Sequence, residues 1–319
     1  MRKLSITKSQ EATMSPEAVK QLKLFRIIRL PFIQAPKKLL LTFRSEFAKQ
    51  EATELEAMKK RFNPTIEQTT LGGIKAYIIT PKNIKPENQD KIGLYIHGGG
   101  YILGSATDQT GMLMINEIGI KTYSLEYDLA PEAKFPIALN QCFEAYKELI
   151  QKHNPKNIIA FSVSAGCGHM MGLFLKVREA NLPMVNSIGL LSPSIDMSLD
   201  GDSYVSNENR DLLAIKNSAD KFYINPYIGN ENPKNPLLSP IYGSYDEVFP
   251  PIILTTSTRD AFLSNAVRMY WKLKGSNVKT ELLVSEGMWH AFTVFPDIPE
   301  AMQIRKEVQD FLLKNLHTN

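Results

Sequence analysis

Residues 157–168 read NIIAFSVSAGCG, an apolar run that stops abruptly at Ser-Ala-Gly. Ile158, Ile159, Phe161 and Val163 predict a short strand buried on both faces, because an unbroken β-branched and aromatic run leaves no face for water. Gly166 and Gly168 then admit close packing where a helix begins. A strand that turns sharply into a helix at a serine is the pattern of a nucleophile elbow. The turn lifts the Ser164 hydroxyl clear of the sheet and aims the Ala165 backbone N–H at a developing oxyanion. The pattern is incomplete: G-x-S-x-G reads here as S-V-S-A-G, with Ser162 at the first glycine. Small residues in an ordinary tight turn would look the same, so the rest of the chain has to supply the context.

Outward from that stretch, short apolar runs alternate with helical ones. IGLYIH precedes a helix near Asp108–Gly119, TYSLEY precedes one over 136–153, the elbow strand precedes one over 165–180, and SIGLLSP follows. Between about 195 and 248 the pattern breaks into polar, aromatic and proline-rich sequence, read as an inserted lid, before PPIILTTS resumes a strand. A helix over 262–274, a last strand over 278–285 and a closing helix over 299–316 complete the chain. This alternation predicts an α/β fold, a mostly parallel sheet flanked by helices. Upstream, two β-rich runs around Gly72-Gly73 within Thr65–Thr80 predict an antiparallel hairpin at a sheet edge, followed by the solvent-bound linker PKNIKPENQDK.

The N-terminal region opens with Ser15-Pro16-Glu17, an N-cap, a helix-opening proline and an acidic first turn, before Val19, Leu22, Phe25 and Ile28 at helical spacing. A second helix is expected from Pro36 towards Arg61, ending at Asn63-Pro64. Lys20, Lys23, Arg26, Arg29, Lys37 and Lys38 interleave the apolar positions, a pattern that suits a membrane surface. Packing of the stripe against the chain's own core is the favoured reading, since amphipathic helices ordinarily bury their apolar face internally.

Composition narrows the field. At 319 residues, 43% hydrophobic and 22% charged, the chain has the make-up of an ordinary globular protein, as one domain with a lid or as two domains. A net charge of +4 spread along the sequence is not the concentrated basic footprint of a nucleic-acid binder. Cys142 and Cys167 cannot build a disulfide framework, and no histidine spacing suggests a metal site. Cys167 reads as a small buried residue. MRKLSITKSQ lacks the apolar stretch of a secretory signal, and no run reaches membrane-spanning length, so a cytoplasmic protein without stable membrane insertion is expected.

Upstream of the elbow a strand ends in HGGGY, residues 97–101. Without Cβ atoms, successive glycines let backbone N–H groups converge on one point. A phosphate cradle would use the same freedom, but neither G-x-x-x-x-G-K-[ST] nor G-x-G-x-x-G is present. A serine hydroxyl needs a base, and the chain has five histidines. His97 belongs to the glycine loop, His153 precedes a proline turn, His169 lies in the helix after the elbow, and His317 is in the tail. His290, in EGMWHAF after the last strand, sits at the expected sheet edge. Asp260, in TTSTRDAFLSNA, follows a strand at that same edge and fits the carboxylate that holds the imidazole, while suiting a helix N-cap equally well. Glu286 and Asp297 are weaker competitors, Glu286 being too close to His290 along the chain. The order serine, aspartate, histidine is that of α/β-hydrolases.

With these residues in place, the chain resembles the hormone-sensitive-lipase-type family of α/β-hydrolase esterases from about Leu94 to Phe292. The motifs are HGGGY (97–101), YDLAPE (127–132) followed by FPIALNQC, SVSAG (162–166), NPLLSP (235–240), FPPIILTTSTRD (249–260) and GMWHAF (287–292). The resemblance implies an α/β-hydrolase fold with a helical cap. It also implies a triad of Ser164, Asp260 and His290, and oxyanion donors at Gly99, Gly100 and Ala165, with Gly98 and Tyr101 as substrate contacts. Cap parts are expected at 1–62 and 196–248, around core parts at 63–195 and 249–319. Phe25, Phe32, Leu212, Leu213, Phe222 and Tyr223 are candidates for lining an acyl pocket and equally for ordinary cap core. Four positions depart from the family pattern. Ser162-Val163 stands where the family usually has Gly-Asp, Cys167 stands for a glycine, and Asp128 stands where arginine is common.

The expected activity is hydrolysis of short- to medium-chain acyl esters by a serine hydrolase through an acyl-enzyme, with no cofactor and no metal. The expected partner is a small-molecule ester rather than nucleic acid, and a homodimer is left open. An amidase or formamidase of the same fold, and a binding protein that has abandoned catalysis, are the alternatives.

Overall fold

The computed structural model describes residues 6–25, 37–212 and 224–317. Among these residues, eight strands form one sheet in the order β1-β2-β4-β3-β5-β6-β7-β8. They are β1 (Thr65–Leu71), β2 (Ile74–Thr80), β3 (Ile92–Ile96), β4 (Lys121–Leu125), β5 (Ile158–Val163), β6 (Ser187–Leu191), β7 (Ile252–Ser257) and β8 (Thr280–Ser285). The first two make the expected edge hairpin, and β2 joins β4 antiparallel; every later pairing is parallel. The helices are α1 (Lys8–Glu11), α2 (Pro16–Phe25), α3 (Lys37–Phe62), α4 (Gln109–Ile118), α5 (Ile137–Lys152), α6 (Ala165–Glu179), α7 (Ser203–Ser206), α8 (Asn225–Ile228), α9 (Leu263–Gly275) and α10 (Pro299–His317). Among the described helices, α1, α7 and α8, each four residues long, were not anticipated; α7 and α8 lie in the segment between β6 and β7, where no helical period is legible.

The elbow strand shows why the sheet is covered on both sides. Ile158 and Ala160 point into a core shared with α5 and α6, including Cys142, Tyr146, Met170 and Phe174. Ile159, Phe161 and Val163 point the other way, onto a second core with Met112, Ile115, Val308 and Leu312 from α4 and α10. Alternation with apolar residues at every position thus buries both faces, as parallel strands between helix layers require. Helix limits follow local chemistry as well. Asp108 caps α4 by accepting from the Gly111 N–H at 2.8 Å, and Gly119 ends it in the left-handed conformation.

The described part of the α2 stripe is internal, while the Phe25 side chain and Ile28 lie outside the described residues. Ala18 and Leu22 are buried against Met288, Trp289, Phe292 and Ile304, so the described part of this helix packs beneath the loop that carries His290. Ser15 is its cap, accepting from the Ala18 N–H at 3.1 Å while its own N–H and hydroxyl donate to Glu300 at 2.6 and 2.8 Å. At the other end of that loop, the buried Arg305 pairs with Glu117 at 2.7 Å and donates to the carbonyls of Thr293, Phe295 and Pro296. The loop is therefore pinned from both sides.

Because β3, β5, β7 and β8 run parallel, their C-terminal ends meet at one edge of the sheet. In α/β sheets, that is where binding crevices form.

Candidate active site

Ser164 occupies the turn between β5 and α6 with φ 53° and ψ −121°, a conformation that L-residues rarely adopt. Such strain persists only when the surroundings over-determine it. Here they do. The Ser164 N–H donates to the Leu191 carbonyl at 2.9 Å, and its own carbonyl accepts from Cys167 and Ser194 at 3.0 and 3.1 Å. Gly166 lies so close to β3 that a Cβ there would stand 2.3 Å from the Ile96 carbonyl oxygen, so the predicted tight packing of the helix start is realised.

The hydroxyl of Ser164 lies 2.8 Å from Nε2 of His290, and Nδ1 of His290 lies 3.1 Å from Oδ1 of Asp260. A carboxylate accepts, so Nδ1 carries the proton and Nε2 is left as the acceptor for the serine O–H. Asp260 is buried and further held by the Thr256 hydroxyl at 3.1 Å and the Phe262 N–H at 2.8 Å. This last bond closes the turn before α9, whose N-cap is Phe262 without a side-chain cap, so the helix N-cap role foreseen for Asp260 is not the one it takes. Burial alone would depress the basicity of His290, but the charge and hydrogen bond of Asp260, with the charge of Asp211, outweigh it and raise the imidazole pKa. The Phe262 ring packs on the imidazole edge-to-face, with centroids 4.7 Å apart.

The glycine loop passes directly over the serine. A Cβ on Gly98 would lie 3.3 Å from Cβ of Ser164, and Gly99, at φ +108°, has no room for one because the Leu103 carbonyl oxygen would be 2.1 Å away. His97 anchors the loop. Its Nδ1–H donates to the Gly98 carbonyl at 2.8 Å, its ring stacks on Tyr127 at 4.2 Å, and the Tyr127 hydroxyl returns to the His97 carbonyl at 2.9 Å. Ala165 is the first residue of α6, where helix geometry leaves N–H groups without intrahelical acceptors. The arrangement is chemically capable of base-assisted attack by a serine beside a cluster of backbone donors.

The remaining candidates are placed elsewhere. Tyr101 is buried, stacked on Tyr227 at 4.0 Å with its hydroxyl donating to the Ser194 carbonyl, and so braces the loop. His153 pairs with Tyr123, His317 with Asn88, and His169 is enclosed by Tyr101, Tyr127 and Tyr227. Glu286 is exposed, and Asp297 pairs with Arg61 at 2.8 Å. Leu212 packs with the α2 cluster near Met288 and Trp289. The Phe25 side chain, Phe32, Leu213, Phe222 and Tyr223 lie outside the described residues. Asp128 pairs with Gln141, whose side-chain amide donates to it at 2.7 Å. Among the described residues no group of three or more His, Cys, Asp or Glu is arranged to hold a metal.

Sequence reasoning missed Asp211. This buried residue of the β6–β7 segment accepts from the backbone N–H groups of His290 at 3.0 Å and Ala261 at 2.6 Å. Ser192 and Asn207 were missed as well: the Ser192 hydroxyl accepts from the Ala291 N–H, and the Asn207 amide donates to the Asp260 carbonyl. All three act through main-chain groups far away in sequence, for which no local motif exists.

Known proteins resemble this chain in sequence and in fold. A family described as alpha/beta hydrolase fold matches residues 93–294. An esterase of Acinetobacter venetianus is 27% identical over 259 residues, 78% of this chain and 82% of its own. The crystal structure of an esterase superposes with a TM-score of 0.87 at 25% identity, over 97% of each chain. That of a hormone-sensitive lipase from a metagenome library does so with a TM-score of 0.74 at 28% identity, over 88% of this chain and 99% of its own.

Proposed function

The chain belongs to the alpha/beta hydrolase-fold family, in its hormone-sensitive-lipase-type branch, and is a serine hydrolase of carboxylic esters; on that premise we propose that Ser164, His290 and Asp260 carry the reaction. Ser164 attacks the ester carbonyl as His290 takes its proton through Nε2, and Asp260 stabilises the imidazolium through Nδ1. The oxyanion is received by the N–H groups of Gly99, Gly100 and Ala165. His290 then protonates the departing alcohol, and water, deprotonated by the same imidazole, releases the acid from the acyl-enzyme. The observation that carries this reading is the unbroken relay at 2.8 and 3.1 Å beside a serine held at positive φ.

The substrate we propose is a small ester with a short- to medium-chain acyl group. The division we propose assigns 1–62 and 196–248 to a cap and 63–195 and 249–319 to the hydrolase core. A cytoplasmic setting belongs to the same proposal, supported by the free thiols of Cys142 and Cys167. No described helix is long and apolar enough to cross a membrane. Hydrolysis of a p-nitrophenyl ester series by the parent and by Ser164→Ala tests the reading. Only a residual rate should survive in the variant, and parental turnover there would refute it.

A further inference from the structure

We propose that Asp211 is a positioning residue for the base: it clips the turn bearing His290 to the turn bearing Asp260 and adds a second negative charge beside the imidazole. The inference rests on the triad assignment above and deepens it.

The geometry is that of a bridge. One oxygen of Asp211 accepts the His290 N–H at 3.0 Å, and the other accepts the Ala261 N–H at 2.6 Å, one residue beyond Asp260. The Leu212 N–H adds a third bond at 2.6 Å. Those two turns follow different strands, β8 and β7, and the carboxylate arrives from a third place in the chain, the segment between β6 and β7. Its own anchorage runs through Asn207, which donates to the carbonyls of Thr258 and Asp260, and through Arg259, whose Nε donates to the Arg210 carbonyl. The segment between β6 and β7 thereby sets the distance between the histidine and the aspartate.

A backbone clip could be made by a neutral side chain, so the choice of a carboxylate calls for a reason. Asp211 is 3% exposed and stands near a second buried carboxylate, Asp260, which makes its ionisation costly. Burial and the charge of Asp260 push its pKa up to about 6, against the opposing pull of His290 and its backbone donors. The titratable groups that face it are Asp260 and His290, and Arg210 and Arg259 flank it along the chain and across the turn. The charge is best compensated once His290 becomes an imidazolium, during attack. An interaction that strengthens on the way to the transition state raises turnover rather than affinity.

The test is Asp211→Asn, which keeps shape and one acceptor but removes the charge. With a short p-nitrophenyl ester, kcat should fall about 10- to 100-fold with KM little changed, as for a small misplacement of a catalytic group. The acid limb of kcat/KM should move to lower pH, because the lost negative charge no longer raises the pKa of His290. A merely structural clip would lower the rate and leave the limb in place; that result, or an unchanged kcat, overturns the proposal. Should the variant not fold, the ring of His290 in the wild-type protein, followed by nitrogen NMR, should titrate above the ordinary imidazole value, and titration below it overturns the proposal. Ser164→Ala is run alongside: parental activity there would sink the triad itself rather than Asp211.

Discussion

The hydroxyl of Ser162 lies 3.4 Å from the thiol of Cys167, so two departures from the family's elbow pattern touch each other. Ser162 stands on β5 and Cys167 one turn into α6, both fully buried, and the thiol continues to the Leu191 carbonyl at 3.6 Å. A serine introduced alone at 162 would bury a hydroxyl without a partner. The thiol supplies one and fills the space that a glycine at 167 would leave. Val163 replaces the family's aspartate with an apolar side chain in the core with Phe161 and Leu191. In a double-mutant cycle by urea unfolding, Ser162→Ala and Cys167→Ala should each cost about 1 kcal/mol. The double variant should cost less than their sum by about 0.5 kcal/mol or more. Strict additivity would deny the coupling.

Burial pushes the Cys167 thiol up to about 12, so it is a poor nucleophile despite its nearness to Ser164. Iodoacetamide at neutral pH should leave both the thiol and the esterase activity intact. Rapid inactivation that tracks alkylation of Cys167 would contradict this environment.

Gly99→Ala should damage turnover more than binding. The positive φ and the Leu103 carbonyl leave no room for a methyl group, so the loop must shift and its N–H groups lose their aim. Loss of one oxyanion donor costs on the order of 10²–10³ in kcat. Steady-state kinetics on a p-nitrophenyl ester, with circular dichroism to verify folding, checks this.

The pH profile follows from His290, which must be neutral to accept the serine proton. Asp260 and Asp211 raise its pKa against the effect of burial, so the acid limb of kcat/KM should sit above the ordinary imidazole value of about 6.5. Asp260→Asn should lower kcat by roughly 10⁴, through the wrong tautomer and loss of charge.

Stability should depend on two other histidines. Burial holds His97 down to about 4 and His169 to about 3, with the neighbouring His97 adding to the depression of His169. Between the ordinary imidazole value and those values the unfolded chain binds protons that the folded chain does not, so stability falls as pH falls. The slope is about 1.4 kcal/mol per pH unit for each group once pH is well below 6.5. His169→Leu should unfold in urea at midpoints that differ less between pH 7 and pH 5 than those of the parent.

Much of this site was legible in the sequence because its parts are local. Ser164 announces itself by a buried strand stopping at small residues, the glycine loop by HGGG, and Asp260 and His290 by their place after strands. The limits of α4 were equally plain, since Asp108 and Gly119 act on the turn they sit in. Asp211 was not legible, because an aspartate in an aperiodic segment gives no sign that its acceptors will meet main-chain donors 50 and 79 residues away. The direction of the Tyr101 ring was not legible for a related reason: adjacency to a reactive loop in sequence says nothing about which way a ring turns, and the stacking surface of Tyr227 decides it.

The most direct measurement is covalent labelling by a fluorophosphonate, followed by peptide mapping. One equivalent should add to the intact protein, on the peptide containing Ser164, with no labelling of Ser164→Ala and slow labelling of His290→Ala. An unmodified parent after long incubation, or an adduct elsewhere with Ser164 untouched, would contradict the account.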